Sequence, residues 1–371
     1  MADLFEYLSW RGDISFSQLP PTPVDCLIFS ALSYIRFHNV AGDTPFDEIP
    51  LHEVSEKLLE MPDANDRVRV AKDLELLRSA GASIRFGSTY LCYYRDIFIP
   101  EEDTQFAAMA FVLDKNNAFL AFRGTDESLV GWKEDFNMSF EESVPAQRLA
   151  LRYTEKFARE RDMSLYLGGH SKGGNLAVYA AAKSSSYIQN KIIGIYNFDG
   201  PGFTAHMLNN TGYQGIVPKV YTYVPQSSVF GMLLEREETY SIVRSRQIGL
   251  LQHDPYTWEV LGGDFEQAQE LTANSRFLNR TFKNWLAGMT NDERNAFVDT
   301  LFDLLMIEDV NTVRDIIRPQ NLRSYFRNLK ADENIRRVIA SEISNLIQSA
   351  RSAQINAKQQ EESNKEEIIG I

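Results

Sequence analysis

The sequence predicts an α/β fold: a mainly parallel sheet with helices on both faces, followed by a helical appendage. Three observations carry that reading. Strand-like and helix-like segments alternate between about residue 90 and residue 224. Gly169-His170-Ser171-Lys172-Gly173 reads as a tight turn from a strand into a helix. Beyond about Asp264 only helical patterns remain. Alternation of this kind belongs to a parallel sheet whose crossovers are helices.

Taken in order, residues 23–80 read as mostly helical, with Ala71, Leu74 and Leu77 at helical spacing and Gly81 as the stop. Strand-like stretches follow at Tyr90–Ile97 and Gln105–Leu113, and Lys115-Asn116-Asn117 turns the chain into a strand at Phe119–Phe122. A helix at about Ala146–Arg161 leads to a short apolar strand, Ser164–Gly168, and to the turn. The small-residue run Gly174–Ala182 is the helix after it. Ile192–Phe198 and Val220–Val224 are two further strands. Thr290-Asn291-Asp292-Glu293 has the form of a capping box and opens a helix with Phe297, Leu301, Leu304 and Leu305 on one face. Ile335, Val338, Ile339, Ile343, Leu346 and Ile347 form a second apolar stripe. These stripes pack on the rest of the protein or form a lid or a dimer surface.

The turn at Ser171 is the most informative stretch. Strand, tight turn and helix make a nucleophile elbow, which holds a serine in a strained conformation with its hydroxyl exposed. A Cβ at the flanking glycines is expected to collide with the adjacent strand and helix. The Lys172 N–H then lies near a helix N-terminus and can hold a developing oxyanion. The competing reading is a glycine-rich turn whose serine only caps the helix. Upstream, Phe122-Arg123-Gly124-Thr125 ends a strand where a second oxyanion donor belongs, which makes Thr125 the candidate. The alternative there is a plain strand end, with Arg123 in a structural salt bridge.

A serine of this kind needs a base and an acid. The chain has 5 histidines. His38 and His52 precede the serine, and His170 lies inside the elbow, pointing away from the hydroxyl. The order serine, acid, histidine favours His253, with His206 in reserve. Asp199 ends the strand Ile192–Phe198, where it can hold the imidazole, or it only stabilises the Gly200-Pro201 turn. The strand Val220–Val224 is followed by Pro225-Gln226-Ser227-Ser228, with no carboxylate. Asp254 adjoins the histidine with poor geometry, and Asp264 follows it. Phe230, Met232, Leu233 and Leu234 are candidates for an acyl-chain pocket or a flap hinged at Gly231. The alternative is a short amphipathic helix covering the sheet.

Together these residues resemble the class 3 lipase-like α/β-hydrolases, and an uncharacterised bacterial branch of them most closely. The resemblance rests on Phe122–Thr125, Trp132–Met138, Gly169–Asn175, Asn197–Phe203 and Gln252–Pro255, with Trp10–Asp13 and Val24–Leu27. It covers roughly residues 8–265. It implies an α/β-hydrolase fold with Ser171 as nucleophile, His253 as base and Thr125 in the oxyanion hole. It also implies ester hydrolysis, often of acyl lipids. Such a serine mechanism needs no metal or organic cofactor. The alternative is a non-catalytic lipid- or partner-binding protein on a hydrolase scaffold, which the missing carboxylate after Val224 keeps open. Class 3 lipases usually place the acid near the position of Gln226 or Ser227; some other lipases take it from the earlier strand, where Asp199 stands. The expected organisation is a hydrolase domain over 1–265, a helical appendage over 266–350 and a disordered tail over 351–371.

A net charge of −13 argues against non-specific nucleic-acid binding and against electrostatic docking on anionic membranes. Neutral acyl esters or lipids remain as substrates. Two cysteines indicate no disulfide framework. The first residues show no signal peptide, and no run is long and apolar enough to span a bilayer, so the expectation is a cytoplasmic protein.

Overall fold

In a computed structural model the protein is described over residues 2–126 and 128–306 and at 310, 312 and 315. The chain divides into two compact units, residues 1–126 with 142–270, and residues 127–141 with 271–371. The expected stripe from Ile335 to Ile347 and the expected tail over 351–371 lie outside the described residues.

The first unit is built on an eight-stranded sheet whose strands lie side by side in sequence order. They are β1 (Ile49–Pro50), β2 (Tyr90–Ile99), β3 (Thr104–Val112), β4 (Asn117–Phe122), β5 (Ser164–His170), β6 (Ile192–Phe198), β7 (Val220–Pro225) and β8 (Tyr240–Val243). The pairings β1–β2, β2–β3 and β3–β4 are antiparallel, and β4 through β8 are parallel. β2 to β4 are joined by short turns, which only antiparallel neighbours allow; β4 to β7 are joined by helical crossovers, and β7 to β8 by a loop with the single turn Phe230–Met232. β8 has no counterpart in the sequence reading. Its four residues are mostly half-exposed and lack a core strand's apolar run.

Period-two alternation puts helices on both faces. On one face Phe119 of β4 and Phe111 of β3 stack against Phe29 of the helix Pro23–Leu32. On the other, Phe122 of β4 and Phe106 of β3 meet Tyr153 of the helix Pro145–Glu160. The helix Lys172–Lys183, buried along most of its length, packs on β5 and β6. This is the α/β-hydrolase fold, with the strand–turn–helix at Ser171 in the parallel half of the sheet.

The N-terminal region holds helices at Pro23–Leu32, Leu51–Leu59 and Ala71–Ala82, and residues 33–48 contain none. Gly81 does not stop its helix, which runs on to Ala82. A Cβ there would stand 2.6 Å from the Ser55 Cβ, so glycine lets two helices approach. The region is held by a fully buried ion pair: Arg85 Nε and Nη2 reach both Asp25 oxygens at 2.8 and 2.6 Å. The other guanidinium donors go to main-chain carbonyls of Ile14, Leu19 and Pro20. Cys26 and Cys92 are both buried and free.

In the second unit the helix Leu129–Asn137 packs with the helix Asn291–Leu305 around Leu129, Phe140, Val298, Phe302 and Val310. Lys133 pairs with Asp299 at 3.1 Å. Thr290 and Glu293 form the capping box. Among the described residues no helix is long and apolar enough to cross a membrane.

Asp25→Asn should lower the unfolding free energy in urea by about 3 kcal/mol, because it leaves the Arg85 charge buried without its counter-charge. The double replacement Asp25→Leu with Arg85→Met should cost less than the single one.

Candidate active site

All the residues named from the sequence as site candidates belong to the first unit. β5 ends at His170 and the helix begins at Lys172, so Ser171 must reverse the chain in one residue. It does so at φ 58° and ψ −132°, a conformation that costs a non-glycine residue about 1–3 kcal/mol. The turn survives because its neighbours carry no side chain. A Cβ on Gly169 would stand 2.3 Å from the Gly173 carbonyl carbon, and one on Gly173 would stand 2.1 Å from the Phe122 oxygen of β4. The Ser171 N–H donates to the Phe198 carbonyl at 2.8 Å, which docks the elbow against the end of β6. The side chain is half-buried and makes no hydrogen bond among the described residues.

Asp199 follows β6 directly and is also held at positive φ, 54°. Its N–H donates to the Tyr223 carbonyl of β7 at 2.8 Å, which aims the carboxylate along the end of the sheet. One oxygen, Oδ1, accepts from the Ser228 hydroxyl at 2.5 Å and from the Gly231 N–H at 3.2 Å. The other, Oδ2, accepts from His253 Nδ1 at 2.6 Å. A carboxylate here only accepts, so His253 carries a proton on Nδ1, and in the neutral ring Nε2 is the acceptor. Asp199 is fully buried, and His253 keeps 23 % of its side chain exposed.

The loop that delivers His253 is anchored at both sides. The Gln252 side chain accepts from Ser227 N–H at 2.7 Å and donates to the Gln247 carbonyl at 2.8 Å. The Trp258 indole N–H donates to the Gln252 carbonyl, and the Tyr256 hydroxyl donates to Asp73 at 2.7 Å. The Phe230 ring lies 4.6 Å from the His253 ring, and the His170 ring lies 4.5 Å from it.

The other candidates are placed as follows. His206 is exposed and pairs with Glu142 at 3.3 Å. Asp254 caps a turn through the Tyr256 N–H, and Asp264 accepts from the Phe265 N–H; neither bonds His253. Thr125 stands half-buried in the loop after β4. That loop begins at Arg123, whose guanidinium grips both Asp96 oxygens at 2.8 and 3.1 Å. The Lys172 ammonium turns to Gln105 of β3, at 3.1 Å from its carbonyl and 3.0 Å from its side-chain oxygen. Its main-chain N–H opens the helix. Phe230–Met232 form a single turn; Met232 is buried, Leu233 and Leu234 are half-buried, and Leu234 has φ 63°. A Cβ on Gly231 would stand 2.2 Å from Asp199 Oδ1, so that glycine serves close approach to the carboxylate.

Two contacts have little signal in the sequence. Ser228 belongs to the segment that lacks a carboxylate, and its hydroxyl instead serves Asp199. His170 does point into the protein, but with both nitrogens engaged: Nδ1 with the Tyr34 hydroxyl at 2.9 Å and Nε2 with the His253 carbonyl at 2.8 Å. Burial, and then the neighbouring His253, push its pKa well below the ordinary histidine value.

A sequence model of the family described as Mbeg1-like matches residues 80–303, more than half of the chain. The chain belongs to the Mbeg1-like family. The matched span takes in the elbow, Asp199 and His253. Among solved structures, this Mbeg1-like chain is similar to a fungal lipase–inhibitor complex described as a model for interfacial activation in lipases. Identity there is 12%, coverage is 60% of this chain and 79% of that one, and the TM-score is 0.35. It is also similar to M37 lipase, at 13% identity over 57% of this chain and 68% of that one, with TM-score 0.35. No curated protein matches it.

The His170 environment sets a pH dependence. The ring is neutral when folded and takes up a proton near pH 6.5 when unfolded, so the unfolded state binds more protons below that value. Its contribution to stability is therefore full above about pH 6.5 and falls by up to about 1.4 kcal/mol per unit on acidification. Urea titrations across this range should show that slope, and His170→Gln should flatten it.

Proposed function

We propose that this protein is a serine hydrolase that cleaves carboxylic esters, with Ser171 as nucleophile, His253 as general base and Asp199 as the acid that orients it. The observation that carries this is the 2.6 Å bond from His253 Nδ1 to a buried carboxylate, which follows directly the residue whose carbonyl accepts from the N–H of a strained, partly exposed serine. The bond selects the tautomer whose Nε2 can take a proton from a hydroxyl. On this reading His253 deprotonates Ser171, which attacks the ester carbonyl. The N–H groups of Lys172 and Thr125 hold the tetrahedral oxyanion, the first aided by the helix N-terminus. Imidazolium then protonates the leaving alcohol. The acyl-enzyme is released by a water that His253 activates.

The finer reading is kinship with the class 3 lipase-like hydrolases, and within them a bacterial branch, acting in the cytoplasm on acyl-lipid-like esters. Phe230 against His253, with Met232, Leu233 and Leu234 following, supports an apolar acyl site. The hydrolase domain runs to about residue 265, and the helices after it form an appendage.

Steady-state kinetics on p-nitrophenyl esters tests the reading. Ser171→Ala should remove turnover, and Asp199→Asn should lower kcat by about ten-thousandfold with the fold retained. Full activity in either variant would overturn the assignment. A second expectation concerns chain length. Each buried methylene adds up to about 0.8 kcal/mol, roughly fourfold in binding, so kcat/KM should rise with acyl length. Leu233→Ala or Leu234→Ala should flatten that rise, whereas a strict preference for acetyl esters would contradict the acyl-lipid reading.

A further inference from the structure

We propose that His170 is a positioning residue for His253: its imidazole, held between the Tyr34 hydroxyl and the His253 main-chain carbonyl, sets the separation between Ser171 and the His253 ring. The proposal rests on the hydrolase reading of Ser171, His253 and Asp199.

The hydrogen bonds define the state of the ring. A carbonyl oxygen only accepts, so the 2.8 Å contact to His253 requires a proton on His170 Nε2. In a neutral ring Nδ1 is then an acceptor, and the Tyr34 hydroxyl donates to it at 2.9 Å. The ring is fully buried with both nitrogens occupied, so it has no proton to exchange with a substrate. The charged and titratable groups around it are Tyr34, Arg69, whose guanidinium lies 4.3 Å from the Tyr34 ring, His253, and Asp199 beyond His253. A neutral His170 puts no like charge beside the imidazolium that forms on His253.

Chain connectivity gives the contact its consequence. His170 and Ser171 are consecutive, so the residue just before the nucleophile carries the donor to the backbone of the base. Asp199 fixes the His253 ring at Nδ1; His170 fixes the main chain from which that ring hangs. A displacement of about 1 Å at such a place can cost about a hundredfold in rate.

The test compares wild type, His170→Phe and His170→Gln as full-length protein. Phenylalanine keeps a ring and removes both hydrogen bonds; the glutamine amide restores a donor toward the carbonyl. For p-nitrophenyl butyrate, the Phe variant should lose about a hundredfold in kcat with KM little changed, and the Gln variant should recover most of it. In NMR spectra of the free proteins at neutral pH, wild-type His170 should be the Nε2–H tautomer. The downfield His253 Nδ1 proton should shift or broaden in the Phe variant. Wild-type kcat and an unmoved Nδ1 proton in the Phe variant would overturn the proposal, as would a wild-type His170 protonated on Nδ1 alone. Should the Phe variant not fold, the wild-type tautomer and the Gln kinetics decide. A wild type without esterase activity whose Nδ1 proton still responds to His170→Phe would sink the hydrolase reading and support the positioning contact.

Discussion

Asp199 is a carboxylate buried at the end of a sheet, and such a charge survives only where hydrogen bonds replace the water it has lost. Its two oxygens are divided between two tasks. Oδ1 takes the Ser228 hydroxyl and the Gly231 N–H, and Oδ2 takes His253 Nδ1 across 54 residues of chain. The backbone serves the same end. The Ser171 N–H binds the carbonyl just before Asp199, and the Asp199 N–H binds β7. Asn175 of the elbow helix donates to the carbonyls of Pro201 and Gly202 just beyond it. Serine and carboxylate are thus spaced by main-chain bonds between β5, β6 and β7, and the histidine is brought to them through side chains.

The parts of this arrangement that are steric and local can be read from the sequence. Gly169 and Gly173 show as glycines because a Cβ at either would overlap the main chain. The strands from β2 to β7 show through their apolar runs, and Thr290 with Glu293 shows through its spacing. Asp199 shows only as one carboxylate among three alternatives, because its partner lies far along the chain. Ser228 shows as a missing acid. In the fold its hydroxyl donates to Asp199 Oδ1, the oxygen that His253 does not use. β1 and β8 are harder to read, since strands of two and four residues depend on tertiary pairing.

The helical N-terminal region joins the site through polar contacts as well as packing. Tyr34 follows the helix Pro23–Leu32 and reaches His170; Asp73 holds Tyr256 and with it the loop after His253. The buried Asp25–Arg85 pair braces the segments from which those contacts come. The loop that carries His253 needs such braces, because Gly249–His253 has exposed apolar side chains at Leu250 and Leu251 and little core of its own.

The central claim is that Ser171 is activated by His253 and that Asp199 makes that activation possible. Labelling with a fluorophosphonate, read by mass spectrometry of the modified peptide, addresses it directly, since only an activated serine reacts at an appreciable rate. The account predicts one adduct, on Ser171, that disappears in Ser171→Ala and forms far more slowly in His253→Ala and Asp199→Asn. An intact, folded protein that takes no label at Ser171, or that labels equally fast without His253, would contradict it.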